Sequence, residues 1–372
     1  MNLRIHIVST ILTAAALAVA GGTASIQLDA VVRLLNSKAA GSRKAYAEAA
    51  KEVAAAAKSG APLQRYVLAL VARDDNPPPA ARMDKVKREK WIKEGRARFR
   101  KLGDRIDNPL ISYLLAIDTS DTNLLRVAAE KGNVQAMNAW GNLSLDAGVH
   151  SQDTNEIARC FARAVSLFRR AAGTGDANGM YNLGMCYARG IGEKRDDSSA
   201  FLCFRSASEK GHPAAMNSFG WFLREGRVGA PDPEFAAQWF AKAAELGDPT
   251  GIFNLALAHM RGDGVPKDSA KAAELTKRAA EEGLPEAMDA WGVTLMRGEN
   301  GVKKDQDAAI GWFRKSAAEG YPPAMENLVQ CYDNGWGVKA DAAQALKWKM
   351  RSRAVRGDAN AAEWLKHNKF ED

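Results

Sequence analysis

The chain has 372 residues, 46% hydrophobic, 26% charged and 8% aromatic, a composition that excludes a disordered or membrane-filling protein. Lys and Arg exceed Asp and Glu by 52 − 44 = +8, which invites an anionic partner until the charge is located. At this length either a few compact domains or one continuous repeat array is feasible, because stacked repeats escape the size limit of a single core.

At the N-terminus, Arg4 and His6 precede an uncharged stretch from Ile7 to Ala20, followed by small residues ending at Ala20 or Ala24. This is the layout of a secretory signal peptide. Its apolar part is short for a helix crossing roughly 30 Å of hydrocarbon, so residues 1–24 are expected to be a cleaved signal, with an uncleaved anchor as the alternative. The chain is therefore expected in the periplasm or cell envelope, or secreted. Residues 25–131 form a helical region with expected helices at 30–59, 62–73, 84–102 and 109–117. Pro77-Pro78-Pro79 breaks the helical pattern between them. Between Arg82 and Arg105 there are eleven Lys or Arg against four Asp or Glu, so this segment carries +7 and the signal Arg4 a further +1. It reads either as a solvated helix with pairs such as Glu89 to Lys93 and Glu94 to Arg98, or as a contact for an anionic polymer, lipid surface or acidic protein. Nucleic acid is not expected, since only Trp91 and Phe99 interleave as stacking residues.

From Gly132 onward a glycine recurs at Gly175, Gly211, Gly247, Gly283, Gly320 and Gly357, at intervals of 43, 36, 36, 36, 37 and 37. Such a period means stacked copies of one supersecondary unit. In each copy apolar residues fall at i, i+3, i+4 and i+7, as in Met180, Leu183, Gly184 and Tyr187 or Met288, Trp291, Gly292 and Leu295, one face of a helix. The repeated small residue (Gly141, Gly184, Gly220, Ala256, Gly292) implies close approach of a partner helix. A turn follows at Gly190-Ile191-Gly192, Gly262-Asp263-Gly264 and Gly335-Trp336-Gly337. A second helix is then expected to start at Asp196, Asp268, Asp305 or Asp341, whose carboxylates suit an N-cap. In the third unit Asp232 is followed by Pro233, favoured at the first helical position. Residues 360–367 are expected to form a capping helix within 358–372. The fold expected is all-α, a solenoid of stacked antiparallel αα-hairpins.

Segments such as "NLGMCYARGIGEKRDDSSAFLCFRSASEKGHPAAM" and "NLALAHMRGDGVPKDSAKAAELTKRAAEEGLPEAM" resemble the Sel1-like repeat family. The shared features are the Leu-Gly pair, the Gly-x-Gly turn, the Asp after it, and the Ala-rich close on Gly. The resemblance covers 132–357 in about six repeats. It departs from the pattern in the longer first interval, in Ala256 and Val329 at the Gly of the pair, and in Gly229-Ala230 at the turn. Upstream, Gly60 and Gly103 look like worn inter-repeat turns.

The related tetratricopeptide architecture implies a right-handed superhelix whose first helices line a concave groove. Protein or peptide binding is what the resemblance implies. In this register, six residues after each repeat glycine stand Asn138, Tyr181, Asn217, Phe253, Asp289 and Glu326. Four further on stand Asn142, Met185, Trp221, Leu257, Val293 and Gln330. Tyr181, Trp221 and Phe253 are either aromatic anchors for a partner or packing residues between repeats. Arg189, Arg261 and Arg297, fourteen after their glycines, form either a carboxylate-binding stripe or local ion pairs.

No enzyme constellation stands out. HExxH, GxSxG and Walker patterns are absent, and no cofactor or metal is expected. Cys160, Cys186, Cys203 and Cys331 match no C-x-x-C pattern and are either buried thiols or one disulfide. The resemblance also carries an enzyme alternative, since some cysteine-rich exported relatives are described as β-lactamase-like. Here the relatives' cysteine pairs are missing, as is a Ser-x-x-Lys motif.

Overall fold

A computed structural model describes residues 43–58, 62–73, 77–103 and 109–368. The expected signal segment and Gly60 lie outside them. Every regular element among the described residues is helical, so the all-α expectation holds. None of these helices is long and apolar enough to cross a membrane. The chain divides into two compact units, one of residues 1–231 with 246–248 and the other of 232–245 with 249–372.

In the first unit the helices are α1 (Arg43–Lys58), α2 (Pro62–Val71), α3 (Lys85–Gly103), α4 (Pro109–Thr119), α5 (Thr122–Glu130), α6 (Val134–His150), α7 (Thr154–Gly173), α8 (Ala177–Arg189), α9 (Asp197–Glu209) and α10 (Pro213–Arg224). The short helix α5 was not expected; Asp121 caps it through Asn123 and Leu124 N–H. Pro78 is extended (φ −53°, ψ 146°) before a 3-10 turn at Pro79–Ala81, as three successive prolines require. Tyr66, Tyr113, Leu114 and Leu125 fill the N-terminal core. At its edge the Asp118 carboxylate, fully buried, receives two hydrogen bonds from Arg96 at 2.8 and 2.9 Å, one from Arg73 at 2.9 Å and one from the Tyr66 hydroxyl at 2.7 Å. Burial alone would raise its pKa. The hydrogen bonds and the two guanidinium charges outweigh that and hold it below the usual carboxylate range.

The second unit holds α11 (Pro233–Glu245), α12 (Pro249–Arg261), α13 (Ser269–Glu281), α14 (Pro285–Arg297), α15 (Gln306–Ala318), α16 (Pro322–Asn334), α17 (Ala342–Val355) and α18 (Ala359–His367). Consecutive helices pack as antiparallel pairs around Trp291, Ile310, Phe313 and Leu328.

Local chemistry accounts for the hairpins. Asp196, Asp268, Asp305 and Asp341 each accept a first-turn N–H, as expected of N-caps, and Asp232 accepts from Phe235 N–H at 2.9 Å. The seven repeat glycines all have φ between +80° and +93°. There the helix ends with the N–H after the glycine bonded five residues back, as His212 to Ala207 and Leu284 to Ala279. The turn glycines have a second reason to be glycine. A Cβ on Gly192 would lie 2.8 Å from the Phe161 carbonyl oxygen, one on Gly264 2.0 Å from that of Pro233, and one on Gly337 2.6 Å from that of Gln306. The turns at Gly264 and Gly337 rest on the first residue of the preceding hairpin's second helix, and that at Gly192 rests two turns into the longer α7.

Within a hairpin the helices meet where a glycine faces a phenyl ring. A Cβ would come within 2.8 Å of Phe204 from Gly184 and within 2.6 Å of Phe313 from Gly292. Where Ala256 replaces the glycine, the residue eight after the N-cap Asp is Thr276 instead of Phe. The long first interval is explained in the same terms. Helices α6 and α7 have 17 and 20 residues against 13 in α8 and α9, and the contact occurs twice, Gly141 on Phe168 and Gly148 on Phe161, each at 2.5 Å.

Two glycine substitutions separate contact from propensity. Gly292→Ala is expected to lower the unfolding free energy by about 1–3 kcal/mol through overpacking on Phe313. Gly311→Ala, exposed and helical with nothing within 4 Å, is expected to raise it by about 0.5–1 kcal/mol. Urea denaturation of the two variants measures both signs.

Candidate functional site

The residues six positions after each repeat glycine are not equivalent groove ligands. Asn138 is fully buried and donates to Asp176 Oδ2 at 2.5 Å, while Asn182 donates to Asn138 Oδ1 at 3.5 Å. Asn217, 7% exposed, donates to Asp248 at 2.5 Å. Asp289 accepts from Asn327 of the next hairpin at 2.8 Å. These side chains form a polar seam between neighbouring repeats, and the expectation that Asn138 and Asn217 meet a partner is corrected: both are enclosed by the junction.

The aromatic candidates divide. Tyr181 is half-buried and stacks on His212, ring centroids 4.7 Å apart. His212 itself caps α10 by accepting Ala215 N–H at 3.2 Å. Phe253 packs half-buried against the core of the second unit. Asn142 and Met185 are half-buried. Trp221 remains 40% exposed, with the Arg227 guanidinium 5.1 Å from its ring and that guanidinium held by Asp197. The three arginines stay exposed at the last turns of α8, α12 and α14. Arg297 faces Glu299 at 3.6 Å, and Arg189 belongs to a different unit from the other two.

The basic segment also resolves into parts. Arg96 is bound to Asp118 and Arg88 donates to the Ala72 carbonyl at 3.2 Å. Glu89 faces Lys85 at 4.0 Å, and its expected partner Lys93 is exposed. The side chains of 98–105 lie outside those described.

A cavity opens in the last full hairpin, where Glu326 and Gln330, two of the register positions, meet a second wall. It measures about 580 Å³ between α16, with Glu326, Val329, Gln330 and Asp333, and α17, with Leu346 and Lys349 among its residues. Two of its lining residues depart from the repeat register. Val329 and Lys349 occupy the positions that hold Gly184 and Phe204, or Gly292 and Phe313, in other hairpins. Lys349 is exposed, whereas Phe204 and Phe313 are buried, and both Val329 and Lys349 line the cavity. Gln330 also borders a smaller cleft of about 70 Å³ lined by Val293, Met296, Arg297 and Trp336, the last 44% exposed. The α17 wall was missed because the groove register followed first helices alone; the exchange of Phe for Lys was the available signal.

All four cysteines are free thiols, which settles the two alternatives. Burial pushes Cys186, Cys203 and Cys331 up to about 11, which makes them poor nucleophiles at neutral pH. Among the described residues no group of three or more His, Cys, Asp or Glu converges on a metal position.

Burial raises the Asp176 carboxyl, with hydrogen bonds from Asn138 and Gly179 offsetting part of the rise. A folded pKa above the unfolded value near 3.9 means that the stability this group contributes is full below that value and is lost as pH rises through the folded pKa. Asp176→Asn retains an N-cap acceptor and removes this loss. The variant is expected to match wild type near pH 3.5 and to exceed it at neutral pH, as read by chemical denaturation across pH.

A model of the Sel1 repeat matches residues 177–212, 213–248, 249–284, 285–321 and 322–348. The longer hairpin α6–α7 precedes the matched region. Among solved structures, a Sel1 repeat protein from Oxalobacter formigenes is similar with a TM-score of 0.58 and 26% identity, over 66% of this chain and 96% of that one. A protective antigen of uropathogenic Escherichia coli, c5321, described as displaying an SLR fold, is 21% identical over 96% of this chain and 93% of its own, with a TM-score of 0.35. The immunity protein PA5088 from Pseudomonas aeruginosa is 18% identical over 63% and 88%, with a TM-score of 0.45. No curated protein matches the chain.

Proposed function

We propose that this chain, whose residues 177–348 are an array of Sel1 repeats with the Sel1-like repeat fold, is an exported protein-binding scaffold, an adaptor or regulator of the cell envelope. The observation that carries the binding role is the cavity of about 580 Å³ between α16 and α17. It is bounded by two helices and includes the position where the repeat pattern places a packed aromatic ring in other hairpins. Leu346, 41% exposed on its wall, offers apolar area to a partner, and the cleft with Trp336 extends the surface through Gln330. Aromatic and aliphatic anchors in such concave sites dominate interface energetics. Export rests on the sequence of residues 1–24.

A second reading uses the first unit. Lys87, Lys90 and Lys93 are exposed on α3, and a helix presenting them would be drawn to an anionic polymer or membrane surface. Asp118 offsets the charge of Arg96 and the Ala72 carbonyl holds the Arg88 guanidinium, so the repeat cavity is preferred.

The test is affinity capture from the native envelope with wild type and Leu346→Asp, both checked for folding by circular dichroism. Partners recovered by wild type are expected to be depleted from the Leu346→Asp sample. Equal recovery by both would remove the cavity from the binding surface.

A further inference from the structure

We infer that the cavity between α16 and α17 selects an acidic peptide that also carries aliphatic side chains. This rests on the protein-binding reading and adds the chemistry of the partner. The inference starts from the charge of α17, which has Lys347, Lys349, Arg351 and Arg353 and no acidic residue over its 14 residues, with Arg356 at its C-cap. Of these cations Lys349, Arg353 and Arg356 line the cavity. Lys349 is exposed and has no ion-pair partner among the described residues. Arg353 faces Asp358 at 2.6 Å and Arg356 faces Glu326 at 2.6 Å, all with substantial exposure. Exposed pairs of this kind are weak, so a ligand carboxylate can replace either acid at little loss.

The opposite wall decides between a peptide and a uniform polyanion. Glu326 and Asp333 on α16 would repel the evenly spaced charges of nucleic acid or polyphosphate, and Val329, Ala342 and Leu346 leave an apolar strip between the walls. A peptide can direct its carboxylates to α17 and its aliphatic side chains to that strip. The arrangement belongs to this hairpin, since the Lys349 position holds phenylalanine in α9, α11 and α15.

The experiment measures fluorescence anisotropy of three labelled peptides of equal length on the full chain, one alternating Glu with Leu, one Gln with Leu and one Lys with Leu. A labelled single-stranded oligonucleotide is the fourth probe. The variants are Lys349→Glu and Leu346→Asp, with Lys271→Glu, exposed on α13 and not among the cavity's lining residues, as a charge control. Tightest binding is expected for the Glu peptide, weakened at least about fivefold by Lys349→Glu and by rising salt and unaffected by Lys271→Glu. Equal binding of the Glu and Gln peptides, lost in Leu346→Asp, overturns the acidic preference and leaves the cavity as a protein-binding site. Oligonucleotide binding as tight as the Glu peptide, with the same loss in Lys349→Glu, overturns it in favour of a general polyanion site. Binding of none of the peptides, together with equal envelope capture by wild type and Leu346→Asp, removes both readings.

Discussion

The structure depends on how closely two helices can approach when one presents no side chain. Gly184 against Phe204 and Gly292 against Phe313 leave no room for a Cβ, so the ring lies flush on the neighbouring backbone and fixes the spacing of the hairpin. The same economy of atoms operates between hairpins. A Cβ on Gly179 would be 2.6 Å from Ala171 Cβ and one on Gly251 2.5 Å from Ala243 Cβ. Ala136, Ala215, Ala287, Ala324 and Ala361 occupy the corresponding positions, each no more than 2% exposed. Small residues thus set both distances on which stacking depends, and dispersion contacts at these distances supply the cohesion.

The cavity is the exception to this rule. Val329 and Lys349 take the places of glycine and phenylalanine, and both line the open cavity between the two helices. The retained polar seam shows the contrast. At interior junctions an Asn or Asp is met by the next hairpin, as Asp289 is by Asn327. Glu326, in the same register, meets Arg356 and Ser352 instead. This hairpin therefore has polar groups engaged by its own second helix, with the exposed Lys349 and Leu346 beside them.

Much of the fold could be read from the sequence because its determinants are local. Helix caps at Asp196 or Asp305 act within three residues, and the positive φ of Gly211 or Gly283 concerns one residue, so spacing alone exposes them. The candidate site was harder. Whether Asn138 faces solvent depends on Asp176 of the next hairpin, 38 residues away, and no single-repeat pattern contains that fact. The basic segment misled in the same way, since the partner of Arg96 is Asp118, beyond the reach of any i, i+4 rule. Val329 was visible as a departure from the pattern, but its meaning depended on Lys349 across the hairpin.

Hairpin α6–α7 shows what lengthening such an array requires. The second glycine on α6 stands seven residues after the first, and the second phenylalanine on α7 stands seven before its counterpart. Seven residues are close to two helical turns, so both contacts fall on one seam despite the antiparallel run. An extension by three or five would rotate the added surface off that seam. In this hairpin α6 has 17 residues and α7 20, against 13 in each of α8 and α9, and the connection between the helices is shorter, so the second contact is gained by moving residues from the turn into the helices as well as by adding them.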